Sequence, residues 1–209
     1  MRLVKVCGLT REEDVESVAE AGADLAGFVF APSPRRVSPR RAAELKRVLD
    51  GTSVRAVGVF REEEPGRIRR IAEEAGLDLV QLHGEAPAEN AGALGVPAIR
   101  ALRVSGNRLV GLADDPIAAY FLLDTFDPDR AGGTGRPFDW GAVRALPLPR
   151  PFLLAGGLRP ENVGEAIAAL RPDGVDVSSG VEEAPGVKSA VEVRRFVLAA
   201  RAAWEKIGR

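Results

Sequence analysis

An eight-stranded parallel barrel wrapped in helices, the (β/α)8 architecture, is the α/β fold that this sequence predicts. Three observations lead there. Short apolar runs rich in Val, Leu and Phe alternate along the chain with amphipathic stretches of helical period. The alternation recurs about every 25 residues, which gives eight strand–helix units within 209 residues. Strands separated by helices are parallel and carry the helices outside, and eight such units close a ring. An open doubly wound sheet is the alternative that the same pattern allows. No linker or low-complexity segment interrupts the chain, so residues 1–209 read as one domain.

Arg2 to Val6 is the first strand and runs into Cys7-Gly8. Strand side chains alternate between faces, so Leu3, Lys5 and Cys7 share one and Val4 and Val6 the other. Thr10, with Glu13 three residues on, predicts a capping box for the first helix, and Gly22 closes it. Asp24 to Phe30 is the second strand, followed by the Pro-rich loop APSPRRVSP and a helix that Ser38-Pro39 opens and that runs to Leu49. Val54 to Phe60 is the third strand, EEPGRIRRIAEEAG the third helix, and LDLVQLHG a fourth strand ending near Gln81 to His83. A short helix is expected over Ala88 to Leu94, then a fifth strand in VPAIRALRV and a weak element near Leu109 to Asp114. AAYFLLD is the sixth strand and ends at Asp124; a glycine-rich loop, residues 125–138, follows it and is expected to close over a bound ligand. Helices are predicted over Asp139 to Leu146, Pro160 to Leu170 and Lys188 to Ile207, around the seventh strand PFLLAGG and the eighth GVDVSSG.

Composition bounds the chemistry. With 45% hydrophobic and 28% charged residues and a net charge of −1, nothing recruits nucleic acid or an anionic membrane. No apolar run approaches the roughly 20 residues of a membrane helix, and the first residues lack a signal-peptide core. A cytoplasmic protein is expected. One cysteine excludes an internal disulfide, and with a single histidine no metal centre is expected.

In such barrels chemistry lies at the carboxyl ends of the strands. Those positions offer Cys7, Arg35 and Arg36, Gln81 and His83, Asp124, then Gly132, Gly133 and Gly135, and last Ala155-Gly156-Gly157-Leu158 and Ser178-Ser179-Gly180. The two small-residue loops after strands 7 and 8 let backbone amides approach an anion, where these barrels commonly hold phosphate. Cys7 is either a small buried hydrophobe, as unpaired cysteines usually are, or, as thiolate, a base or nucleophile; its place at the strand end, next to Gly8, raises the weight of the second. Asp124 ends an apolar run and points inward, where it either caps the following loop through backbone amides or faces the thiol from roughly the opposite side of the ring, one group able to take a proton and the other to give one. The arginine fork of Arg36 suits a carboxylate. His83 fits a hydrogen-bonded scaffold role better than a catalytic one.

Seven motifs in register resemble one family: KVCGLT at 5–10, GFVFAPSPRRVS at 27–38, VGVF at 57–60, QLHG at 81–84, LLDTFDPDRAGGTGRPFDW at 122–140, LAGGL at 154–158 and DVSSGVEEAPGVK at 176–188. The chain resembles the phosphoribosylanthranilate isomerases of tryptophan biosynthesis. That resemblance implies a cofactor-free barrel that converts N-(5-phosphoribosyl)anthranilate to 1-(o-carboxyphenylamino)-1-deoxyribulose 5-phosphate by an Amadori rearrangement. It implies Asp124 as general acid and Cys7 as general base, Arg36 on the anthranilate carboxylate, and Gly156, Gly157, Ser179 and Gly180 on the phosphate. Lys5, Gln81, His83 and Gly133 would support them. Lys188-Ser189-Ala190 departs from the Lys-Asp expected at the opening of the last helix. The rivals are a histidine-pathway type of phosphosugar isomerase, which needs aspartates on strands 1 and 5, and a barrel that binds a phosphorylated ligand without turnover. A phosphorylated small molecule is the expected partner, and the chain is expected to be a monomer or a homodimer.

Overall fold

The structure is a computed structural model and describes residues 2–84, 94–105, 108–110, 118–124, 143–149 and 151–208. In chain order the main strands are β1 (Leu3–Cys7), β2 (Leu25–Val29), β3 (Arg55–Arg61), β4 (Leu79–His83), β5 (Ala98–Ser105), β6 (Arg108–Val110), β7 (Ala118–Asp124), β8 (Phe152–Ala155) and β9 (Gly174–Val177). All of them except β6 pair in parallel with their ring neighbours, β5 with β7 included. Two contacts decide between the two predicted architectures: β4 lies against β5 through Val80 and Ala98, and β1 lies against β9 through Val4 and Val175. The eight parallel strands therefore form a ring with no free edge, and the fold is a closed barrel, not an open doubly wound sheet. The weak element resolves in its described part into β6, which folds back antiparallel on β5 outside the ring.

The alternation of side chains builds two cores. Leu3, Leu25, Val57, Leu79, Ile99, Leu122 and Leu153 point inward and fill the barrel. Val4, Val6, Phe28, Val80 and Leu154 point outward, under helices α1 (Glu12–Glu20), α2 (Pro39–Arg47), α3 (Pro65–Ala75), α4 (Val163–Leu170) and α5 (Ala190–Lys206). Each fully buried side chain of this size contributes about 1.5–3 kcal/mol of transfer free energy.

Three helix starts differ from the sequence expectation, each for a local reason. Thr10 does not cap α1: its hydroxyl donates to the Gly186 carbonyl at 2.6 Å, and Arg11 holds the cap position without a side-chain bond. Helix α4 begins at Val163 instead of Pro160, because Asn162 accepts from the Arg159 amide at 2.8 Å and donates to the Gly157 carbonyl at 3.0 Å, closing a turn first. The last helix begins at Ala190, since Val187–Lys188 are taken as strand β11, paired with β10 (Glu182–Ala184). Ser38 caps α2 as expected, accepting from the Arg41 amide at 3.1 Å. The helix expected at 88–94 and the loop at 125–138, with Gly132, Gly133 and Gly135, lie outside the described residues apart from Leu94. Of the helix expected at 139–146, residues 143–146 are described; Val143 and Arg144 are helical, while Ala145 and Leu146 already form a turn and a bend.

Candidate active site

Cys7 is the last residue of β1 and faces into the barrel mouth two positions above Lys5. Its thiol is buried, with 8% of the residue exposed. Beside it, Lys5 is fully buried and meets Asp176 of β9 at 3.0 Å, the two residues being in register across the strand pair. A charge inside a barrel requires such a partner. Burial pushes the Cys7 thiol up; the neighbouring Lys5 ammonium, and behind it Lys188, pull it back. Lys5 itself is held above its ordinary value: burial opposes this, and the Asp176 carboxylate and the Cys7 sulfur outweigh it. The inward carboxylate of Asp176 was visible in the sequence only as one residue of GVDV; the lysine in the middle of a buried strand was the signal that called for it.

Asp124 closes β7, in register with Ala155 of β8 and Arg103 of β5, and is half-buried at the same rim. The ring order β7-β8-β9-β1 sets Asp124 and Cys7 three strands apart in a ring of eight, in line with the expected placement across the mouth. The two strands between them are β8 and β9, whose loops are the glycine-rich pair.

Those loops touch. Gly156 and Gly157 have φ of 92° and 65°, a region that side chains other than hydrogen rarely enter. Ser179 and Gly180 form a short 3₁₀ turn after β9, and a Cβ on Gly180 would fall 1.9 Å from the Leu158 carbonyl oxygen. Gly180 is thus a glycine because the backbone of one loop rests on the other.

Arg36 stands in the loop after β2, exposed at the rim, and lines a cavity of about 240 Å³ with Phe30, Glu63 and Arg67. Its neighbour Arg35 turns the other way and is engaged with Glu182. Arg35 Nε and Nη2 donate to the two Glu182 oxygens at 2.8 and 2.6 Å. Lys188 donates to the same carboxylate at 2.7 Å and to the Ser178 carbonyl at 3.1 Å. These cations hold Glu182, against the cost of its burial, down to about 2. Glu182 and Lys188 lie within a motif quoted above, yet nothing in their spacing distinguishes them from surface charge.

Gln81 and His83 share the inner face of β4, with Gln81 Nε2 and His83 Nε2 2.7 Å apart. Burial, then the charges of Lys5 and Arg61, lower His83 to about 4. At neutral pH the ring is therefore uncharged, and its Nε2 shares a hydrogen bond with the Gln81 side-chain amide. In the unfolded chain His83 would titrate near 6.5. Between these values the unfolded state binds the extra proton, so His83 subtracts stability as pH falls from 6.5 toward 4. Urea midpoints of wild type and His83→Gln are expected to converge over that window; parallel curves would refute the buried neutral ring.

Comparison with known proteins places this geometry. Residues 4–199 match the family model described as N-(5'phosphoribosyl)anthranilate (PRA) isomerase. The N-(5'-phosphoribosyl)anthranilate isomerase of Rubrobacter xylanophilus is 49% identical over 208 residues, 96% of this chain and 100% of the relative. The crystal structure of phosphoribosyl anthranilate isomerase from Thermotoga maritima superposes with a TM-score of 0.82 at 40% identity, covering 97% of this chain and 100% of the other. A phosphoribosyl anthranilate isomerase in complex with reduced 1-(o-carboxyphenylamino)-1-deoxyribulose 5-phosphate gives 0.78 at 38% identity, with the same coverage.

Proposed function

Because the chain belongs to the N-(5'-phosphoribosyl)anthranilate isomerase family, we propose that Cys7 and Asp124 are the acid–base pair of its reaction. The enzyme is a phosphoribosylanthranilate isomerase of tryptophan biosynthesis. Asp124 protonates the furanose ring oxygen as the substrate's own anilino nitrogen expels it, giving an open-chain iminium. Cys7, as thiolate, removes the proton from sugar C2, and the resulting enolamine goes on to the ketone. No Schiff base to the protein is required, since the nitrogen that stabilises the cation arrives with the substrate.

The observation that carries this reading is the ring order. With the phosphate on the loops of β8 and β9, Gly156, Gly157, Ser179 and Gly180, the sugar lies between strands β7 and β1, within reach of both Asp124 and Cys7. Arg36, beyond β1, then takes the carboxylate of the aromatic ring. Lys5 supports the thiol as its countercharge, and His83 with Gln81 packs the mouth beneath. The barrel serves as one catalytic domain, and a free thiol at the site suits the cytoplasm.

Arg36→Gln tests the carboxylate end. Losing a charged, two-pronged contact of about 1.5–3 kcal/mol should weaken binding of the reduced product analogue by about 10- to 100-fold, with kcat less affected. Unchanged binding, measured by calorimetry, would move the carboxylate to another cation.

A further inference from the structure

Behind Cys7 the chain carries an ion network that the acid–base scheme does not use. Glu182, its side chain 5% exposed, accepts from Arg35 of the β2 loop, from Lys188 of β11 and from the Gly186 amide at 3.2 Å. Lys188, 0% exposed, ties this carboxylate to the Ser178 carbonyl, and Ser178 Oγ in turn donates to the Cys7 carbonyl at 3.0 Å. The network thus ties the loop after β2 to the segment after β9 by charged hydrogen bonds. One of them bears Arg36, adjacent in sequence to Arg35. The other bears Ser179 and Gly180, adjacent to Ser178.

We infer that the Arg35–Glu182–Lys188 network is a buckle that fixes the span between the carboxylate-binding and phosphate-binding ends of the site, so that these are positioning residues for a ligand anchored at both ends. The inference rests on the assignment of those two ends above. A ligand held at both termini gains affinity only if the distance between its anchors is set beforehand. Inorganic phosphate touches one end and is indifferent to that distance.

The test compares two probes, the reduced product analogue and inorganic phosphate, on the full-length enzyme. Glu182→Gln removes the shared charge, and Arg35→Gln releases only the β2 loop, leaving the Lys188 and Gly186 bonds in place. Both variants should bind the analogue about tenfold more weakly and raise KM similarly, while phosphate inhibits as it does wild type. In an Arg36→Gln background, Arg35→Gln should add little, because the loop then carries nothing to position. Wild-type affinity for the analogue in Arg35→Gln, or equal loss of analogue and phosphate, would overturn the buckle. A normal affinity in Arg36→Gln combined with a loss in Arg35→Gln would keep the buckle and remove Arg36 as its cargo.

Discussion

Cys7→Ala is expected to lower single-turnover conversion by about 10²- to 10⁴-fold, the range that a positioned proton-transfer group contributes. The variant should still bind the reduced product analogue, because the phosphate and carboxylate ends are untouched. Loss of substrate fluorescence after rapid mixing reads the chemical step directly. Asp124→Ala should show a comparable loss, since protonation of the ring oxygen and removal of the C2 proton are successive and neither substitutes for the other. The pH dependence separates them. Burial keeps the thiol mostly protonated at neutral pH, so wild-type kcat/KM should climb as pH rises above neutral, and the residual rate of Cys7→Ala should lack that climb. Rapid turnover by Cys7→Ala would remove the thiol as base.

Lys5→Met is expected to be the most destabilising single change at the site. Truncating one partner of a buried pair leaves the other charge without compensation, at about 3–5 kcal/mol. Asp176 would be stranded inside the barrel with its carboxyl driven toward the neutral form. In the wild type the linkage runs the opposite way to that of a carboxylate. Lys5 sits above its unfolded value of 10.5, so its contribution is fully present below that pH and is lost only as pH rises through the folded value. Urea melts at neutral pH should therefore show the whole deficit. Adding Asp176→Leu should restore much of the stability, because an apolar pair of similar size replaces an ion pair at little net cost. The thiol should not recover. Its alkylation by iodoacetamide should shift to higher pH in both variants, since the pull of Lys5 on Cys7 exceeds the opposing push of Asp176. Wild-type melting and an unshifted alkylation profile in Lys5→Met would refute the countercharge.

Most of the barrel could be read from apolar periodicity, because parallel strands buried on both faces announce themselves as continuous Val, Leu and Phe runs. Closure was legible only through the count of eight units, since the contacts that decide it, β4 on β5 and β9 on β1, join strands whose own sequences look like any others. Helix starts shifted where a polar side chain had another partner, close by for Asn162 and far along the chain for Thr10. Thr10 is the clear case: its hydroxyl reads as a cap locally and is spent on Gly186, 176 residues away. At the site, the residues proposed to carry chemistry were legible, as Cys7, Asp124 and the paired glycines are unusual where they stand. The ion pairs beneath them were not. Lys5 with Asp176, and Arg35 with Glu182 and Lys188, are defined by registers between β1, β2 and the end of the chain, and a linear pattern holds no record of them.

The contact of Gly180 with the Leu158 carbonyl also bears on how this site can be rebuilt. Residues 156–158 and 178–181 are not two independent pieces of scaffold. A side chain introduced at 180 must be met by a backbone shift at 158, and a longer turn after β8 must be met by a retreat after β9. Recombination between related barrels that exchanges one of these segments alone should produce chains that fold around a distorted anion pocket, whereas transplanting both together carries the pocket over intact. For library design the two stretches form a single cassette, discontinuous in sequence and contiguous in space.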